Sequence, residues 1–217
     1  MKTLSPGTVR DTRCFWGCSD FFRDSYSRLH KKTDCDRIKL VEREMGAADV
    51  EEQQEDIEYM QEALRLARKA AEAEDTPIGA VIVYQGQIIG RGYNRRNALG
   101  SPLAHAEIEA IHQAADFMGD WRLENTTLYV TLEPCPMCAG AIVQARIPKV
   151  VIGAMNPKAG CAGSILNLLE HTGFNHRAQV CRGVLEEESA GLMRSFFERL
   201  RRRERIQRQE ESQNAEV

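Results

Sequence analysis

The run Thr127-Leu128-Tyr129-Val130-Thr131-Leu132-Glu133-Pro134-Cys135-Pro136-Met137-Cys138-Ala139-Gly140 decides the fold. Thr127 to Thr131 is β-branched and apolar and reads as a strand, while Cys135 to Gln144 reads as a helix entered directly from Glu133-Pro134. Pro136 suits the first helical turn, where its missing amide proton would have no partner anyway. Downstream, Lys149 to Gly153 is short and almost wholly apolar, the pattern of a strand buried on both faces.

Upstream, Ile57, Met60, Ala63, Leu64, Ala67 and Ala70 recur at three- and four-residue steps, the stripe of an amphipathic helix from Asp56 to about Glu74. Thr76-Pro77 stops it, because the residue before a proline is pushed out of the helical region and the ring cannot continue the ladder. Ala80 to Tyr84 and Gln87 to Gly92 flank Gln85-Gly86 and read as an antiparallel hairpin, with Asn94 at its far end and a polar loop as far as Pro102. Ala104 to Phe117 reads as a helix with Ile108, Ile111, Ala114 and Ala115 on its apolar side. Ser164 to Leu169 reads as a short helix, Ala178 to Arg182 as a last strand, and Glu186 to about Arg205 as a closing helix. Strands alternating with helices predict an α/β fold, a three-layer α/β/α sandwich around a mixed sheet of about five strands.

The expected organisation is one domain over residues 51–207, an extension over 1–50 without sustained periodicity, and a polar, disordered tail over 208–217. Within the extension, Cys14, Cys18 and Cys35 are a weak candidate for a second metal cluster, and Met45 is a candidate for the true initiator. At 217 residues, 42% hydrophobic and 28% charged, the composition is that of a soluble globular protein, with no run approaching the roughly 18 apolar residues of a membrane span. The N-terminus lacks the apolar core of a secretory signal, and seven cysteines in no disulfide-like spacing suit a reducing compartment; a cytoplasmic location is expected.

A net charge of −3 gives no global argument for nucleic-acid binding. Its distribution does: Arg194 to Arg208 holds seven arginines against Glu198 and Glu204 in a stretch that reads as helix. Such a helix can bind phosphates while the rest of the protein stays acidic, although a solvated helix face with internal Glu and Arg pairing has the same composition.

The chemistry lies in two segments, His105-Ala106-Glu107 and Pro134-Cys135-Pro136-Met137-Cys138. A neutral imidazole from His105 and two thiolates from Cys135 and Cys138 suit zinc, one ion per subunit, and three protein ligands leave a fourth position open for water. Cys135 and Cys138 are three apart, on one face of a helix and near its positive end, which favours thiolates. Glu107, two residues beyond the histidine, is placed to act as general acid and base. The bland alternative is a structural zinc closed by Cys161; His112, His171 and His176 read as surface or hydrogen-bonding residues. HxE with PCxxC is the signature of zinc nucleobase deaminases.

From about Glu55 to Arg205 the chain resembles the bacterial tRNA-specific adenosine deaminases of the cytidine deaminase-like superfamily. The segments that carry the resemblance beyond the metal motifs are Pro77-Ile78-Gly79-Ala80, Gly92-Tyr93-Asn94, the run Thr127 to Gly140, Phe174-Asn175-His176-Arg177 and Phe196-Phe197. The resemblance implies hydrolytic deamination of adenosine to inosine at wobble position 34 of a tRNA anticodon, in an arginine tRNA with anticodon ACG. It implies zinc without any organic cofactor, an anticodon stem-loop as partner, and a homodimer whose sites are finished by the neighbouring subunit. Asn94 would then hydrogen-bond the flipped base or its ribose, and the backbone amide of Ala106 would hold the attacking oxygen. Lys158 would contact phosphate, and Phe196 and Phe197 would offer a stacking surface. At Asn156 the family often has aspartate; asparagine can still accept from a ribose hydroxyl but carries no charge, so weaker RNA-over-DNA discrimination is expected. Two other readings stay open. One is a superfamily relative acting on free cytosine, guanine or a nucleoside, and the other is a zinc-stabilised RNA-binding module without catalysis.

Overall fold

The computed structural model describes residues 47–215 of the chain. The expectations placed on residues 1–46, the cluster of Cys14, Cys18 and Cys35 and the Met45 start among them, lie outside the described residues. In chain order the elements are α1 (Ala47–Glu72), β1 (Gly79–Tyr84), β2 (Gln87–Tyr93), the four-residue α2 (Arg96–Leu99), α3 (Ala106–Met118), β3 (Thr126–Leu132), α4 (Pro136–Gln144), β4 (Lys149–Ala154), β5 (Gln179–Arg182) and α5 (Glu186–Ala215).

The five strands form one mixed sheet in the order β2-β1-β3-β4-β5. β1 runs antiparallel to both β2 and β3, and β3, β4 and β5 are parallel. Because successive strand residues point to opposite faces, each central strand feeds two cores. Ile82, Leu128, Val130, Val150, Ile152 and Val180 face α3 and α4, with Ala106, Ala110, Ala139 and Ile142 against them. Val81, Val83, Tyr129, Val151 and Cys181 face α1, meeting Met60, Ala63 and Leu66. The expected α/β/α sandwich with a five-stranded mixed sheet is therefore the observed architecture. On the α1 side, buried Asp56 accepts the Tyr129 hydroxyl at 2.8 Å and Lys149 Nζ at 3.3 Å, tying the helix to β3 and β4.

Three differences from the sequence reading have physical causes. First, α1 begins at Ala47, ahead of the first apolar stripe residue, because its first turns are polar and Glu52 pairs with Lys149 of β4 at 2.8 Å. Second, residues 164–169 are not helical but turn back through an isolated bridge between Ala162 and Asn167. Third, α5 continues to Ala215, so residues 208–215, expected to be disordered, are helical; intrahelical contacts such as Glu204 with Arg208 at 3.9 Å replace an apolar face there.

The position of α3 is set by two glycines of β2. A Cβ on Gly90 would lie 2.2 Å from the Ala110 carbonyl oxygen, and one on Gly92 would lie 1.9 Å from that of Ala106. Only glycine lets the helix backbone descend this far onto the strand. Gly92→Ala is expected to lift the first turn of α3, destabilising the protein by about 3 kcal/mol in urea unfolding and lowering its metal content.

Candidate active site

The strand directions bring three chain segments to one edge of the sheet. β2 and β3 both flank β1 in antiparallel fashion, so Tyr93 and Leu132 end on the same side, and Leu132 lies in register with Ala154 of β4. The segments leaving these ends carry Asn94, Glu133 to Cys138, and Met155 to Lys158, and α3 starts beside them with His105. The crevice beyond the carboxyl ends of strands is the usual place for a ligand in open α/β sheets.

His105 and Cys135 are the N-cap residues of α3 and α4, both extended (φ −91°, ψ 151° and φ −72°, ψ 173°) and neither making a side-chain cap. Their side chains are thereby left for another task. His105 Nδ1 lies 3.8 Å from Cys135 Sγ and 3.5 Å from Cys138 Sγ, and the three residues form a group able to hold a metal ion. A nitrogen at ~2.0 Å and a sulfur at ~2.3 Å from a tetrahedral zinc ion are ~3.6 Å apart, so both the donor set and its spacing fit zinc. Cys161 is buried but outside this group, its thiol directed at the Ala159 carbonyl at 3.8 Å; among the described residues the group has three members, as a catalytic centre requires.

The acid–base properties of the cluster follow from proximity. The Cys138 thiol hydrogen-bonds Cys135, which with His105 brings the Cys135 pKa down to about 4 against the effect of burial, and Cys138 itself is pushed up. The hydrogen bond to Cys135 raises His105. A cation replaces these shared protons, since a coordinated thiol is deprotonated outright. Glu107 is only 3% exposed, and among the described residues its Oε2 has no hydrogen-bond partner. Burial raises its pKa. A buried carboxylate oxygen with no partner costs stability that the fold does not recover, which marks it as a group kept for a ligand.

The structure sorts the remaining site expectations. Asn94, 1% exposed, accepts the Ala106 amide through Oδ1 at 3.2 Å and so caps α3 from a distance. The Ala106 amide is consequently engaged, and is not the free donor expected for the attacking oxygen. Asn156 Oδ1 accepts the Lys158 amide at 3.3 Å, an Asx turn that gives the loop its bend, and Lys158 is exposed. Phe196 is 9% exposed and packed inward, so only Phe197, at 39%, offers a stacking face. The two rings meet edge to face, with centroids 5.5 Å apart. His176 donates through Nε2 to the Ile147 carbonyl (2.8 Å), His171 accepts the Gly173 amide at 3.1 Å, and His112 lies 3.3 Å from Asp116 on an exposed helix face; none approaches the cluster.

One residue of the site had no role in the sequence reading. Glu133, 2% exposed, accepts the amides of Asn156 (2.8 Å), Ala162 (2.8 Å) and Ser164 (3.0 Å), and also the Ser164 hydroxyl. A carboxylate directly before Pro-Cys, where a strand turns into a helix, was the available signal; its partners lie 23 to 31 residues onward and carry no mark of their own.

Residues 54–201 match the MafB19-like deaminase family. The tRNA-specific adenosine deaminase of Bacillus subtilis is 52% identical over 150 residues, spanning 69% of this chain and 93% of that protein. The chain belongs to the family of tRNA-specific adenosine deaminases. The family includes the chloroplastic tRNA(adenine(34)) deaminase of Arabidopsis thaliana, 45% identical over 156 residues, 64% of this chain and 12% of that protein. A solved structure from work on A-to-I editing by tRNA:A34 deaminases at the wobble position superimposes with a TM-score of 0.60 at 43% identity, covering 62% of this chain and 98% of the other. Among the described residues no helix is long and apolar enough to cross a membrane.

The site predicts a clean separation of two variants. His105→Ala is expected to lose nearly all bound metal after dialysis, whereas Cys161→Ala is expected to retain about one ion per chain, as elemental analysis would measure.

Proposed function

We propose that this protein is a zinc-dependent hydrolase that converts adenosine at position 34 of a tRNA anticodon, that of tRNA-Arg(ACG), to inosine and ammonia. The observation that carries the reading is the buried Glu107, whose Oε2 has no hydrogen-bond partner among the described residues, beside a three-ligand group, in a chain whose relatives are named tRNA-specific adenosine deaminases. His105, Cys135 and Cys138 would hold the ion, which when bound makes a water acidic enough to deprotonate near neutral pH.

Glu107 does the proton work. Its carboxylate takes the proton released by the attacking water and passes it to N1 of the purine as C6 becomes tetrahedral; it then takes the proton of the new C6 hydroxyl and hands it to the amino group, which leaves as ammonia while the C6 carbonyl forms. Burial, which raises its pKa, suits a group that must both accept and release a proton near neutrality. An anticodon base is already in a loop, so its extrusion into the crevice costs less than from a duplex. Asn94 contributes through the helix it caps, which fixes the direction of His105 and Glu107. Lys158 contacts phosphate and Phe197 stacks on a base. Asn156, with its acceptor in the turn, faces the ribose less strongly than a charged residue would, consistent with reduced RNA-over-DNA preference.

The basic row of α5 is divided. Arg199 donates to the Ala71 carbonyl at 3.3 Å and Arg203 pairs with Glu74, anchoring α5 on the end of α1, while Arg194 and Arg208 lie near Glu187 and Glu204. Arg201, Arg202 and Arg205 make no ion pair among the described residues, and these three are assigned to the tRNA backbone. The protein is further read as a cytoplasmic homodimer, on the family relationship alone.

Glu107→Gln is expected to lower the inosine-forming rate on an anticodon stem-loop by about 10³-fold with metal content unchanged. Turnover of free nucleosides but not of the stem-loop by the native protein would overturn the tRNA reading, as would unchanged inosine in total tRNA after its depletion. Replacing Arg201, Arg202 and Arg205 together by Gln is expected to reduce the slope of log affinity against log salt concentration by about 2, as a filter-binding titration would read.

A further inference from the structure

The loop from Met155 to Glu170 leaves β4 at the sheet edge that carries the metal-ligating segment, with no regular structure beyond one bridge. Its order comes from two side chains at the ends of the strands beneath it. Arg182, the last residue of β5, donates to the Ala162 carbonyl through Nε (3.1 Å) and Nη2 (2.7 Å) and to Glu170 at 2.9 Å. Glu133, just past β3, gathers four donors from three residues of the loop onto one carboxylate. The same stretch is stitched to the metal-ligating segment by backbone: the Cys161 amide donates to the Pro134 carbonyl at 2.8 Å, and the Glu133 amide donates to Ala154 at 2.9 Å.

Two details show that this is a fitted seat. A Cβ on Gly160 would lie 1.9 Å from Glu133 Oε2, so the loop passes the carboxylate at a distance only glycine allows. Ala162 is fully buried, so its amide has no access to water and depends on Glu133 for its hydrogen bond. All four donors are neutral, and no cation pairs with the carboxylate among the described residues. Replacing it by a carboxamide keeps the volume but leaves an NH₂ facing N–H groups, which repels part of the loop.

Resting on the tRNA deaminase reading above, we propose that Glu133 is a positioning residue for substrate: it holds the loop carrying Asn156 and Lys158 as a preformed wall of the pocket, locked to the segment that presents Cys135. Preorganisation of this kind lowers the ordering cost of binding and leaves the proton chemistry at Glu107 untouched. The effect therefore falls on KM.

The experiment compares native protein with Glu133→Gln, Gly160→Ala and Ser164→Ala, each assayed for metal content, steady-state kinetics on an anticodon stem-loop RNA, and amide hydrogen exchange. Expected is a KM rise of about tenfold or more for Glu133→Gln and Gly160→Ala and a smaller rise for Ser164→Ala, which removes one donor of four. In each case kcat changes by less than about threefold, metal content is retained, and faster exchange is confined to residues 156–164. An unchanged KM in all three variants overturns the proposal, as does a fall in kcat or metal content at constant KM, which would make Glu133 a support of the metal segment only. Ser164→Ala keeps every backbone partner of the carboxylate, so it decides the matter if the other two variants fail to fold. If the native protein itself does not deaminate the stem-loop, the tRNA reading fails, whereas the exchange pattern still reports on the loop.

Discussion

The distance between α3 and β2 governs this site. At Gly90 and Gly92 the helix backbone sits almost on the strand, with carbonyl oxygens of Ala110 and Ala106 where side chains would otherwise begin. That approach places the first turn of α3 low over the sheet edge, level with the start of α4, and so brings an imidazole within 3.8 Å of one thiol and 3.5 Å of another on a helix thirty residues away. A site with ångström tolerances is built here on rigid elements, and the loops only complete it.

The electrostatics follow from the same placement. Two helix N-termini converge, and each contributes partial positive charge where anionic ligands are wanted. Cys135, hydrogen-bonded by the Cys138 thiol and by His105, has its pKa brought down to about 4, while Glu107, on the same edge but sealed from water, moves in the opposite direction. Nearby groups separated in this manner by burial and partner are what a reaction that takes and returns protons needs.

Local signals were legible in the sequence, and signals that depend on chain return were not. The sheet and the helices α3 and α4 could be read because apolar periodicity and Pro136 are properties of contiguous residues, and the ligands because HxE and CxxC encode spacing on a single helix turn. The segment 164–169 misled because Ile165, Leu166, Leu168 and Leu169 imitate an amphipathic turn; its neighbouring amides are instead taken by Glu133, whose position depends on another strand. The pairing of Asn94 with the Ala106 amide escaped for a similar reason: that one would satisfy the other is a matter of tertiary geometry. The ends of α1 and α5 escaped because they are polar helices without a buried stripe, held by ion pairs that periodicity does not register.

Capping α3 from the residue that follows β2 has a consequence for what this scaffold can tolerate. A helix ordinarily constrains the residue at its own N-cap to be serine, threonine, aspartate or asparagine, since that side chain must satisfy the first free amides. Here the obligation has moved to Asn94, in the segment just past β2, and position 105 is relieved of it. The helix start can therefore host a residue chosen for reactivity alone, and the requirements of folding and of chemistry, which compete for a single position in most helices, are here divided between two.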